Sequence, residues 1–156
     1  MAAIFLDAEK AFDLVVWDYL WLVLQKYGIN CSFIVALKSL YLRPQARLSI
    51  MGCDSEWIEI QRGTRQGCPC SPLLFALYIN PYIELLMAAP SIAPVISHGY
   101  STKVLAYADD IAIITMNPEV SIQAVEAIAL EFGTMSGYRL NSSKTQILRN
   151  KFCAIQ

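Results

Sequence analysis

The chain has 156 residues and a formal charge of −1, with 56% apolar and only 16% charged residues. That length suffices for one ordinary domain with a real core, but soluble domains usually carry roughly 45–50% apolar and 25% charged residues. The composition excludes a strongly basic binder, since no run of Lys and Arg is present to grip phosphate. It also excludes a secretory leader at "MAAIFLDAEK", which lacks a basic start and a long apolar stretch.

The excess of apolar residues has two readings: entry into a membrane, or surface meant for other domains. A spanning helix needs about 20 mostly apolar residues. Residues 14–24 carry Asp18, and residues 71–96 carry Asn80, Glu84 and four prolines. No membrane partner is therefore expected, and docking faces for absent domains are. The five cysteines (Cys31, Cys53, Cys68, Cys70, Cys153) form no C-x-x-C pair. They read as reduced structural thiols of an intracellular protein, nucleus or cytoplasm unresolved, while Cys68 and Cys70 leave zinc open.

In chain order, "AAIFL" (2–6) reads as a buried strand. Residues 17–27 form a helix closed by Gly28, and residues 32–42 a second helix stopped near Pro44. "ARLSI" (46–50) and "EWIEI" (56–60) alternate around "MGCDS" as a hairpin. A polar loop over 63–72 precedes a helix to about Ala88, with Ser71 as N-cap and Pro72 at its first position. "TKVLAY" (102–107) and "IAIIT" (111–115) are strands joined through 108–110. Residues 118–135 have helical spacing and end at Gly137, and "YRL" and "TQIL" are strands flanking the turn "NSSK". The order β, two helices, ββ, helix, ββ, helix, ββ predicts an α+β fold, an antiparallel sheet with helices packed on one face.

The chemistry concentrates in "YADDI". Two carboxylates at the tip of a hairpin between apolar strands are costly unless something offsets their charge. A solvated turn is one answer, and a divalent cation is another. Asp7, directly after the first strand, either caps the next turn or joins Asp109 and Asp110. Three carboxylates can hold two Mg²⁺ ions about 3.5–4 Å apart, as polymerases do.

Four segments in order resemble the reverse-transcriptase palm: "FLDAEKAFD", "RGTRQGCPCSPLLFALYINP", "LAYADDIAII" and "MSGYRLNSSKTQIL". Their wording is most similar to LINE-type, non-LTR retrotransposon enzymes and covers nearly the whole chain. The resemblance implies one palm domain over 1–156, without fingers and thumb. It implies RNA-directed DNA polymerase activity, with an RNA template, a DNA primer, dNTPs and Mg²⁺, for which Mn²⁺ can substitute.

It further implies that Asp7, Asp109 and Asp110 bind metal, with Ala8 offering its carbonyl. Phe12 falls at the steric-gate position, where a ring collides with a ribose 2′-hydroxyl; core packing is its alternative. Gln66 and Gly67 would contact nucleotide and template, and Tyr107 and Ala108 the primer end. Lys144 would protonate pyrophosphate, unless it is only an exposed turn lysine. Arg62 and Arg65 read first as surface residues. Cys70 departs from the Leu of many relatives. The rival readings are a non-enzymatic retroelement remnant and a group II intron maturase or telomerase-like palm.

Overall fold

Five small and apolar residues form β1 (Ala2–Leu6), which becomes a central strand of the sheet. The computed structural model describes residues 1–65 and 67–150. Two helices follow, α1 (Trp17–Lys26) and α2 (Cys31–Leu40). Gly28, at φ 74°, closes the first as expected. The second starts one residue early because the Asn30 side chain accepts the Ser32 N–H at 2.8 Å.

The expected hairpin forms as two short ladders. They are β2 (Gln45–Ala46) with β5 (Ile58–Glu59), and β3 (Ser49–Ile50) with β4 (Cys53–Asp54). Gln45 faces Glu59 but Ser49 faces Asp54, so the returning strand carries one extra residue, a bulge. Ser55 fills it, accepting the Leu48 N–H on its hydroxyl at 3.0 Å.

The long helix α3 (Ser71–Ala88) has Cys70, not Ser71, at its cap. Ser71 is already helical, and its hydroxyl donates to the Arg65 carbonyl at 2.6 Å instead. By length and composition α3 could cross a membrane. Here it is a core helix, with Phe75, Tyr78, Ile79, Tyr82 and Leu86 buried.

The strand expected over 102–107 is divided. β6 (Val95–Ser97) and β7 (Tyr100–Thr102) form their own hairpin around His98 and Gly99, both at positive φ. The chain changes sheets at Lys103, whose ammonium donates to the Met87 and Ala89 carbonyls at the end of α3. That end carries no basic residue of its own, so Lys103 satisfies its orphan acceptors. Burial there lowers the Lys103 pKa.

β8 (Val104–Tyr107) is the rest of the divided strand; β9 (Asp110–Thr115) and α4 (Pro118–Ser136) follow within a residue of the reading, and Gly137 ends α4 at φ 82°. β10 (Gln146–Arg149) forms, but "YRL" is not a strand; only Leu140 pairs, with Ala8. Both segments lie along β1 rather than against each other, so no second hairpin arises.

The four-stranded sheet runs β10-β1-β9-β8, all antiparallel. Burial alternates along β1 and β9, so Ile4, Leu6, Ile111 and Ile113 enter the core. The helices cover that face, as expected for an α+β fold. A ring cluster of Tyr19, Tyr78, Tyr82, Phe132 and Tyr138 fills the space between them. Desolvation raises the Tyr78 hydroxyl to about 12, although it donates to the Ser136 carbonyl at 3.0 Å.

Large apolar side chains remain bare on α2 and the small hairpin, among them Phe33, Leu42 (72% exposed), Leu48, Ile50 and Trp57. Part of the apolar excess in the composition is thus surface, in keeping with the expected docking faces.

Gly137 is constrained twice. Its φ is positive, and a Cβ there would lie 2.5 Å from the Leu14 carbonyl oxygen. Gly137→Ala is expected to cost at least about 1–3 kcal/mol, read as a lower midpoint in urea unfolding.

Candidate active site

The pairing of β1 with β9 sets the site. Leu6 faces Ile111, so the next step along the ladder places Asp7 opposite Asp110. Asp109 precedes it in the turn from β8, where Tyr107 pairs with Asp110. Ala108 holds this turn at φ 52°, a conformation costing a non-glycine residue roughly 1–2 kcal/mol. Tyr107 is 84% exposed beside it. Tyr107, Asp110, Phe5, Leu105 and Ala112 line a hollow of about 400 Å³ on the uncovered face of the sheet.

Asp7 and Asp109 are half-buried and Asp110 is exposed. Asp7 and Asp109 both help raise the Tyr138 hydroxyl, whose pKa reaches about 12 chiefly through burial. Among the described residues, no ion pair or hydrogen bond reaches the carboxylates of Asp7, Asp109 or Asp110. Asp7 therefore does not cap the turn after it. Its carbonyl instead accepts the Asn141 N–H at 2.8 Å, and the Glu9 N–H donates to the Arg139 carbonyl at 2.9 Å. These bonds flank Ala8 and leave the Ala8 carbonyl out of that ladder.

Among the described residues, no three His, Cys, Asp or Glu side chains are gathered into a group that could hold a metal. The backbone brings the three aspartates to one end of the sheet, but their side chains do not converge. The donor chemistry, carboxylates plus a main-chain carbonyl, still suits a hard divalent cation.

The loop after the hairpin is locked to the turn after β1. The Thr64 N–H donates to the Phe12 carbonyl at 2.8 Å, and the Gly63 N–H to Val15 at 2.8 Å. The Trp17 indole donates to the Gly63 carbonyl at 2.7 Å. Gly63 sits at φ 94°, and a Cβ there would lie 2.9 Å from the Asp13 carbonyl. Phe12 is half-buried and stacks on Phe75 of α3 at 4.2 Å between ring centres. Both readings of Phe12, packing and gate, are compatible with that position. Gly67 has φ 82° and no atom within 4 Å of a would-be Cβ, so its backbone is open to approach. Gln66 lies outside the described residues, as does Cys153. Lys144 is exposed in a turn closed by its own N–H on the Asn141 carbonyl, 3.1 Å away.

A family model described as "Reverse transcriptase (RNA-dependent DNA polymerase)" matches residues 2–153. The chain belongs to the reverse transcriptase family. It is similar to the transposon TX1 uncharacterized 149 kDa protein of Xenopus laevis, at 30% identity over 93% of this chain. It also resembles the retrovirus-related Pol polyprotein from the type-2 retrotransposable element R2DM of Drosophila melanogaster, at 30% over 89%. The relatives are thus non-LTR retrotransposon proteins, and the chain spans 11% and 13% of their lengths. Apo telomerase from Candida tropicalis, truncated from its C-terminal domain, matches 98% of this chain and 31% of its own. Its TM-score of 0.66 at 14% identity is a likeness of fold, that of a polymerase palm.

Within this reverse-transcriptase domain, sequence reasoning missed the clamp made by Gly63, Thr64 and Trp17, and the support of Phe12 by Phe75. It also missed a cleft of about 700 Å³ beside the clamp, lined by Asp13, Trp17, Tyr41, Glu59, Arg62 and Arg65. The "RGT" before "RQGCP" was a usable signal, since a glycine at a loop entry often marks close backbone approach.

Like charges facing across strands destabilise by up to about 1 kcal/mol. Asp7→Asn is therefore expected to raise the thermal midpoint at low ionic strength, with a smaller gain in high salt. A lower midpoint in both would show that the carboxylates do not repel.

Proposed function

We propose that the protein carrying this domain is an RNA-directed DNA polymerase. It extends a DNA primer with dNTPs on an RNA template, and on DNA as well. The observation that carries this reading is the register that sets Asp7 beside the Asp109–Asp110 turn, at the open end of an apolar sheet. Asp7 and Asp109, with Asp110 more peripheral and the Ala8 carbonyl alongside, would hold two Mg²⁺ ions or Mn²⁺ in their place. Such ions lower the pKa of an attacking hydroxyl and offset charge on phosphorus.

The chain's own residues do the positioning. The exposed Tyr107 ring offers a surface for the primer end, and the small Ala108 side chain leaves room for its terminus. Phe12, backed by Phe75, presents a ring edge to the sugar and so disfavours a 2′-hydroxyl. Gln66 and the open backbone of Gly67 contact nucleotide and template. Lys144 gives a proton to the departing pyrophosphate. This polymerase reading is preferred to a non-enzymatic remnant because all three aspartates are present.

Primer extension on an RNA template with dNTPs and Mg²⁺ tests this. Asp109→Asn is expected to lower the rate by orders of magnitude while the midpoint stays within a few degrees; undiminished synthesis rejects the assignment. Mg²⁺ should raise the midpoint of the native chain and not that of the variant. Phe12→Val should relax selectivity for dNTPs over NTPs, and an unchanged ratio counts against the gate.

A further inference from the structure

The polymerase reading leaves Cys68 and Cys70 without a role. Both thiols are free and half-buried, whereas Cys31 and Cys53 are exposed. The Cys68 N–H donates to the Arg65 carbonyl at 3.3 Å, and the Cys68 carbonyl accepts the Ser71 N–H at 3.1 Å. The second bond closes a turn around Cys68, Pro69 and Cys70. In such a turn, residues two apart fall within the Cα separation of about 4.4–6.8 Å that a disulfide needs. Cys70 also occupies the N-cap of the 18-residue helix α3, which sets Cys68 two residues before that cap, near the positive end of the helix dipole.

These donors act on one thiol more than the other. The Cys70 backbone N–H, the largest influence, holds the Cys68 thiol below its ordinary value. A thiolate is the nucleophile in sulfur chemistry, so Cys68 is the attacking member and Cys70 the resolving one. Zinc does not fit this pair, because no third Cys, His, Asp or Glu joins it among the described residues.

We infer that Cys68 and Cys70 are a reversible redox pair, oxidised by hydrogen peroxide to a disulfide within the loop that carries Gly67. The Cys68 sulfur attacks one peroxide oxygen, the O–O bond breaks, and one water leaves after proton uptake. Cys68 is then a sulfenic acid. The Cys70 sulfur attacks that sulfur, the S–O bond breaks, and a second water leaves. Two thiols have lost two electrons and two protons, and the peroxide has become two waters. Two equivalents of external thiol reverse the change.

The test uses the folded chain and requires no polymerase activity, so its failure is separate from failure of the reading above. The chain is treated with hydrogen peroxide, alkylated and cut with trypsin, which places Cys68 and Cys70 alone in the peptide 66–103. The expected result is that peptide two hydrogens lighter and unalkylated, while Cys31 and Cys53 are alkylated. Dithiothreitol restores alkylation of both. In Cys70→Ser, dimedone should label Cys68. Alkylation of Cys68 should reach half its maximal rate at lower pH than alkylation of Cys31. The inference is overturned if Cys31 or Cys53 oxidises first, if the pair stays fully alkylated, or if Cys70→Ser leaves Cys68 unlabelled.

Discussion

The structure depends on the antiparallel pairing of β1 with β9. Ile4, Leu6, Ile111 and Ile113 lie on one face of that pair and are almost wholly buried. Each stabilises the fold by roughly 1.5–3 kcal/mol through burial, so a one-residue slip, which would turn the shifted strand's pair outward, is strongly disfavoured. The same register leaves Asp7 as the first residue past the buried run, opposite the turn that bears Asp109 and Asp110. The apolar core thus fixes where the backbone sets the three aspartates.

A second constraint ties the nucleotide side of the site to this sheet. Gly63 and Thr64 bond the main chain at Val15 and Phe12, and Trp17 bonds back to Gly63. The loop that leads to Gly67 is therefore anchored, within a few residues, to the segment that carries Asp7. Phe75 of the helix after that loop supports the Phe12 ring. Strand end, Phe12 ring and loop are consequently held together by main-chain hydrogen bonds and ring packing.

Long, strongly patterned elements were legible: "AAIFL", the helices from Trp17 and Pro118, and the apolar strands around the double aspartate. The motif order identified the family and hence the palm fold. What escaped the sequence were interactions between distant backbones. The bulge at Ser55 and the break at Lys103 each arise because a side chain serves a main-chain group elsewhere, Leu48 in one case and the end of α3 in the other. "YRL" has strand-like residues, but its one bridge is to Ala8, just past β1, not to "TQIL", and pairing partners are not written locally. The three aspartates share one end of the sheet through topology, and among the described residues no counter-charge stands beside them.

That counter-charge is the point at which stability and chemistry part. The two ion pairs among the described residues, Arg47 with Asp54 and Arg149 with Glu119, lie away from the site. An arginine beside Asp7 or Asp109 would relieve the repulsion and fill the place a cation needs. The uncompensated carboxylates thus keep the donors free at a cost that the sheet bears. A chain of net charge −1 with an acidic centre also cannot hold a polyanion by its own charge.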